Sequence, residues 1–150
     1  MKEIYYTYNN EAIASCVFLA VLDRLRTLDV ARSCLILPFL LDDRTVSFFN
    51  ESLNDKLTLE QIKRDKPLLF TSFNKRYISL LPIAINSLMI LHKSNQISIG
   101  KEISIVNMLP IYNSMMGTRL EKIIDVIPTF LSIIDSYSTK QLYKLLNIQL

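Results

Sequence analysis

Apolar residues recur at three- and four-residue spacing from Ile13 through Val17, Ala20, Val21 and Leu25 to Leu28, which predicts an amphipathic helix. Phe18, Leu19 and Leu22 widen that face until the middle keeps little polar surface, the pattern of a helix at the centre of a fold. Asn9 and Asn10 supply its N-cap, with Glu11 near the positive end of the helix dipole. Residues 2–8 alternate weakly and are rich in tyrosine, which predicts a short extended arm or edge strand. Cys34-Leu35-Ile36-Leu37 reads as a short buried strand or the end of a loop. Pro38 then suits the first position of a helix running to about Phe49. Residues 50–57 form a loop, and residues 58–64 a brief polar helix that Pro67 stops or restarts.

Two more helices follow on the same reasoning, at 68–80 and 82–93, each opened near a proline. The second is almost wholly apolar. Ile97-Ser98-Ile99 and Ile103-Ser104-Ile105 alternate about Gly100-Lys101-Glu102, a hairpin with glycine in its turn. A long helix spans about 118–135, with Pro128 expected to kink or break it. Ser138-Thr139-Lys140-Gln141 is a capping-box pattern for a last short helix, which Asn147 can close in the left-handed conformation. The expected fold is mainly α with a small β-hairpin: one helical domain over residues 1–150. Its helix–helix–hairpin section is winged-helix-like, and C-terminal helices follow.

Composition changes the picture in one direction. The mean hydropathy of +0.26 is high for a soluble monomer, because only 21% of the 150 residues are charged. Such an excess implies either very thorough burial or apolar patches that partners cover, and the second is the better account. The net charge of +3, from 17 basic against 14 acidic residues, implies neither a polyanion binder nor an acidic tail. Residues 78–91, the greasiest stretch, are interrupted by Ser79, Pro82, Asn86 and Ser87 and fall short of the roughly 20 residues a bilayer span needs. Residues 12–22 imitate the apolar core of a signal peptide, but Glu3 and Glu11 spoil its basic start. No membrane partner is expected, and reduced thiols in a cytoplasmic protein are.

Little in the chain can carry chemistry. Cys16 and Cys34 stand outside any CxxC or CxxH pattern and read as buried core thiols. His92, the single histidine, lies at a predicted helix end, where an imidazole complements the dipole without a catalytic task. One histidine and two uncoupled cysteines make no ordinary zinc shell. Asp42 and Asp43 are helix neighbours about a hundred degrees apart and do not converge. With Gly100 and Gly117 the only glycines, no phosphate-cradling loop exists. The expectation is no enzyme activity, no cofactor and no metal. Exposed-aromatic and edge-strand arguments nominate Tyr5, Tyr6, Tyr8, Leu37, Pro38, Phe39, Ile99 and Ile103 as partner contacts. The basic residues Lys63, Arg64, Lys66, Lys75 and Arg76 could touch a nucleic-acid backbone. That leaves a winged-helix DNA-binding regulator as the alternative function, with residues 82–93 in the recognition position. Its aliphatic bulk suits a groove poorly, because base edges are read by Arg, Lys, Asn or Gln.

The order of motifs resembles a family. Tyr-Asn-Asn-Glu-Ala at 8–12 leads into the first apolar helix, and Leu-Pro-Phe-Leu-Leu at 37–41 is similar to the family's Leu-Pro-Leu-Leu-Leu. Leu59 and Ile62 follow on a short polar helix, then Lys75-Arg76 within 73–77, Leu-Pro-Ile-Ala-Ile at 81–85 before the hairpin, and the ending at 142–148. Together they resemble the small middle components of bacterial three-component ABC-ATPase systems, which include Lamassu-type anti-phage defence. The chain departs from the family at Glu11, where many members carry proline, and at Ile123-Ile124 and Pro128, near which they carry a Leu-Gly pair. The resemblance implies a non-catalytic accessory subunit in a hetero-oligomer. It would sit on an SMC- or Rad50-like ABC ATPase and link it to an effector, commonly a nuclease. Direct contact with DNA would be non-specific.

Overall fold

The first helix, α1 (Glu11–Leu25), is capped by Asn10, whose Oδ1 accepts from the amides of Ala12 at 3.0 Å and Ile13 at 3.2 Å. The computed structural model describes residues 9–53, 56–108 and 117–150. Every residue from Val17 to Leu22 is buried, so α1 runs through the middle of the molecule, as its all-round apolar character predicts. Arg26, at φ 65°, ends it and turns the chain into a strand absent from the sequence reading, β1 (Thr27–Asp29). Asp29 caps α2 (Val30–Leu40), accepting from the amide of Ala31 at 3.2 Å.

Cys34 to Leu37 are therefore helix, not strand, and Pro38 lies in the last turn of α2 instead of opening a new helix. A short apolar run carries no period that separates a buried strand from a buried helix. Here the Asp29 cap decides it. Asp42 then caps α3 (Asp43–Glu51), accepting from the Thr45 amide at 3.3 Å and its hydroxyl at 2.7 Å. A Thr58–Gln61 capping box opens α4 (Leu59–Asp65), and a 3-10 turn (Pro67–Leu69) leads to α5 (Phe73–Lys93).

α5 is the second departure: the helices expected at 68–80 and 82–93 are one 21-residue helix that passes through Pro82. Proline removes one rung of the ladder. Burial on both sides of it, with Tyr77 and Leu80 before and Ile83, Ala84, Leu88 and Leu91 after, keeps the axis continuous. α6 (Thr118–Ile134) likewise passes through Pro128 without a break. A Ser138–Gln141 capping box opens α7 (Thr139–Leu145), and Asn147 follows it at φ 54°.

The hairpin forms where expected, as β2 (Ile97–Ile99) and β3 (Glu102–Ile105), with Ile97 opposite Ile105 and Ile99 opposite Ile103. β1 pairs with the other side of β3, Leu28 opposite Ile103, giving an antiparallel sheet of order β1-β3-β2. The fold is mainly helical with this small sheet, and the C-terminal helices follow it. α1 packs against α5, α6 and α2, and α3 against α6. At the centre the ring of Phe39 lies 4.7 Å from that of Phe73 and 5.1 Å from that of Phe130.

α7 is fastened to α2 by polar contacts that no local pattern announces. Arg32 donates to the Tyr137 carbonyl and to Thr139 Oγ1, and Thr139 donates to Asp29 Oδ2 at 2.6 Å. The Tyr143 hydroxyl donates to the Ala31 carbonyl at 2.6 Å and lies 3.2 Å from that of Tyr77.

Candidate protein-binding surface

Of the eight residues nominated from sequence as partner contacts, four are core. Leu37 and Phe39 are 0% and 2% exposed, and Pro38 is buried beside them. The Leu-Pro-Phe-Leu-Leu stretch thus builds the interior, because its position in the last turn of α2 turns it toward α5. Ile103, in the middle strand, is wholly buried, while Ile99 on edge strand β2 is half-buried. Tyr5, Tyr6 and Tyr8 lie outside the described residues.

The basic cluster divides in the same way. Lys63 donates through Nζ to the Leu145 carbonyl at 2.6 Å, fastening α4 to the end of α7. Arg76 is 11% exposed, and its guanidinium donates to the carbonyls of Leu69 at 2.9 Å and Pro38 at 3.3 Å. It also reaches Ser72 Oγ at 3.3 Å, lies over the Phe73 ring and approaches Asp42. Those bonds make the guanidinium a fork that joins α2, the 3-10 turn and the start of α5. Arg64, Lys66 and Lys75 remain on the surface.

The prominent exposed apolar feature is the outer face of α5. Its inner positions, among them Phe73, Leu80, Ala84, Ser87 and Leu91, are buried against α1 and α2. At 100° per residue, Ile78, Pro82, Ile85 and Met89 fall on the opposite side. All four are exposed, the isoleucines at 55% and 51% and Met89 at 42%. Ile90 is exposed beside them and Leu81 is half-buried. The sequence reading noted that 82–93 is almost wholly apolar but nominated none of its residues as partner contacts. The 4-3-4 spacing of the exposed members is the signal that could have found this face.

Among the described residues no group of three or more His, Cys, Asp and Glu side chains could hold a metal ion. His92 is exposed, with Nδ1 3.3 Å from the Ile97 carbonyl. Cys16 and Cys34 are half-buried free thiols, and burial pushes both above the ordinary thiol range. Tyr137 donates to Glu60, which holds that carboxyl below its usual range. The Tyr137 phenol is raised, mainly by burial and then by that bond. These two residues, with Lys63, Lys144 and Asn147, line an open groove of about 380 Å³ between α4 and α7. Lys63 and the Glu60 carboxylate already serve the fold. Among the described residues no helix is long and apolar enough to cross a membrane. Comparison with protein-family models, curated proteins and solved structures gives no match.

Proposed function

We propose that this chain is a non-catalytic adaptor subunit of a cytoplasmic anti-phage defence complex. In it the chain binds an SMC- or Rad50-like ABC ATPase and links it to an effector such as a nuclease, which it restrains. The observation that carries the reading is α5, apolar on the face that packs against α1 and α2 and apolar again on the face that packs against nothing described. Such a helix is stable in the fold through one side and leaves the other for a partner. The ordered motifs at 8–12, 37–41 and 81–85 support the family resemblance, and the sparse supply of reactive side chains supports a role in contact instead of chemistry. Work in such an adaptor comes from binding two arrangements of the ATPase unequally, so that its movement on ATP or DNA releases the effector.

Co-expression with the products of neighbouring genes tests it. The chain is expected to purify with an ATPase and to lose it when Ile85 or Met89 is replaced by lysine. A chain that purifies alone at every salt concentration would remove the proposal.

A DNA-binding regulator has one observation in its favour: β1 completes a three-stranded sheet with the hairpin that follows α5. Against it, the outward positions of α5 are Ile78, Pro82, Ile85 and Met89, and Asn86 already donates to Glu11 at 3.2 Å. That reading needs duplex binding with a steep salt dependence.

A further inference from the structure

The exposed apolar residues of α5 form a pattern more specific than a greasy patch. Ile78, Pro82, Ile85 and Met89 are separated by four, three and four residues, the alternation of the seam positions of a coiled coil. The same alternation extended outward falls on Lys75 at one end and His92 at the other, with Lys93 beside it, all exposed. Lys75 and Lys93 stand about 27 Å apart along the helix. The polar flanks between them, Ser79 and Asn86, are uncharged, and α5 contains no acidic residue. Glu11 touches the edge of the face midway along, through Asn86.

We propose that this face docks an amphipathic helix from another chain, one that carries an apolar seam of two heptads bracketed by acidic residues. A ridge with alternating four- and three-residue steps fits between the side chains of a second helix. Charge selects among the candidates. A second copy laid antiparallel would set Lys75 against Lys93 of its mate, and laid parallel would set each lysine against itself. Both arrangements bring like charges together at each end. Acidic residues at those positions would instead complete ion pairs at the rim. A membrane surface is a poorer occupant. In-plane helices carry many basic residues along the border of the apolar face, whereas between Lys75 and Lys93 this face is bordered by Ser79, Asn86 and the Glu11 carboxylate. The adaptor reading explains why such a partner exists, and the inference rests on it to that extent.

The probe is a pair of synthetic helical peptides, each on the order of 20 residues to match the length of the face. Both carry one leucine and isoleucine seam; one has glutamates in its first and last turns and the other lysines. Binding to the full chain is followed by fluorescence anisotropy. The glutamate peptide is expected to bind at least tenfold more tightly than the lysine peptide at low salt, with the gap closing as salt screens the rim. Ile85→Lys and Met89→Lys should each weaken it tenfold or more, while Lys101→Glu in the hairpin turn should leave it unchanged. Unaltered circular dichroism in the variants shows that the fold is kept. Equal binding of the two peptides, or indifference to Ile85→Lys and Met89→Lys, would overturn the inference. So would a concentration-dependent dimer in sedimentation, or adhesion to phosphatidylserine vesicles, that either substitution abolishes. If the acidic peptide binds but no ATPase co-purifies, the face stands and the adaptor reading falls. If an ATPase co-purifies regardless of Ile85→Lys and neither peptide binds, the present inference fails, and the adaptor reading keeps its partner but loses α5 as the contact.

Discussion

Arg76 separates a structural account of the basic residues from a nucleic-acid account, and the structure sets the size of the effect. Its guanidinium donates to the Pro38 carbonyl in the last turn of α2, the Leu69 carbonyl of the 3-10 turn and the Ser72 hydroxyl, among its contacts. Replacing it by methionine keeps most of the aliphatic stem and removes the fork. Asp42 keeps its bonds from Thr45, so the loss falls on the two carbonyls and on the contact with the Phe73 ring, whose centroid is 5.2 Å from Arg76 Cζ. An unpaired acceptor costs about 1–3 kcal/mol when buried, and these two part-buried carbonyls fall toward the low end of that range. The net loss is about 2–3 kcal/mol, a fall in Tm of roughly 6–10 °C for a domain of this size. Arg76→Lys should lose about half as much, since one ammonium cannot reproduce the planar fork. Thermal unfolding followed at 222 nm measures both. An Arg76→Met variant that melts within 2 °C of the parent, the loss from about 0.5–1 kcal/mol, would refute the reasoning. If the same variant also lost salt-sensitive duplex binding, the phosphate-contact role would be restored.

Phe39→Ala should destabilise by about 3–5 kcal/mol, because the ring lies between those of Phe73 and Phe130. A well-folded Phe39→Ala chain that had merely lost a partner would return that residue to the surface role its sequence suggests. The Tyr143 phenol is held well above the ordinary tyrosine range, first by burial and then by the Tyr77 hydroxyl beside it. The folded state therefore binds this proton more tightly than the unfolded chain does. Its contribution is complete below about pH 10 and is lost as pH rises from there. Urea unfolding between pH 9 and 11.5 should show a shallower alkaline decline for Tyr143→Phe than for the parent, and identical declines would count against it. Burial also raises the thiols of Cys16 and Cys34, so iodoacetamide at pH 8 should modify both more slowly in the folded protein than in urea. Equal rates would show the two thiols to be open.

What was legible in the chain were the features decided within a few residues. Asn10, Thr58 and Ser138 cap helices where their spacing to the first turn requires, and the alternation around Gly100 produces the hairpin. Illegible were the features decided by distant neighbours. β1 is three residues long and exists because β3 offers it a free edge, a partner some 75 positions later that no local pattern names. Pro82 and Pro128 read locally as breaks, yet one lost rung is tolerated when the flanking turns are buried on the same side. The Arg32–Thr139–Asp29 and Tyr143–Ala31 fastenings belong to the same class.

The candidate surface shows the limit most sharply, through the contrast of α1 with α5. Both helices are apolar nearly all round, and periodicity alone assigns both to the centre. α1 earns that place because α2, α5 and α6 close around it, and Val17 to Leu22 are buried without exception. α5 is packed by α1, α2 and β2 on one side only, so the same kind of sequence delivers core residues at Leu80, Ala84 and Leu91 and surface residues at Ile78, Ile85 and Met89. The number of neighbours a helix acquires is a property of the whole fold, and no window of its own sequence contains it. Once the fold supplies that number, the apolar excess in the composition acquires an address: part of it lies along the 4-3-4 ridge of α5, where burying each isoleucine against a partner would be worth about 1–2 kcal/mol.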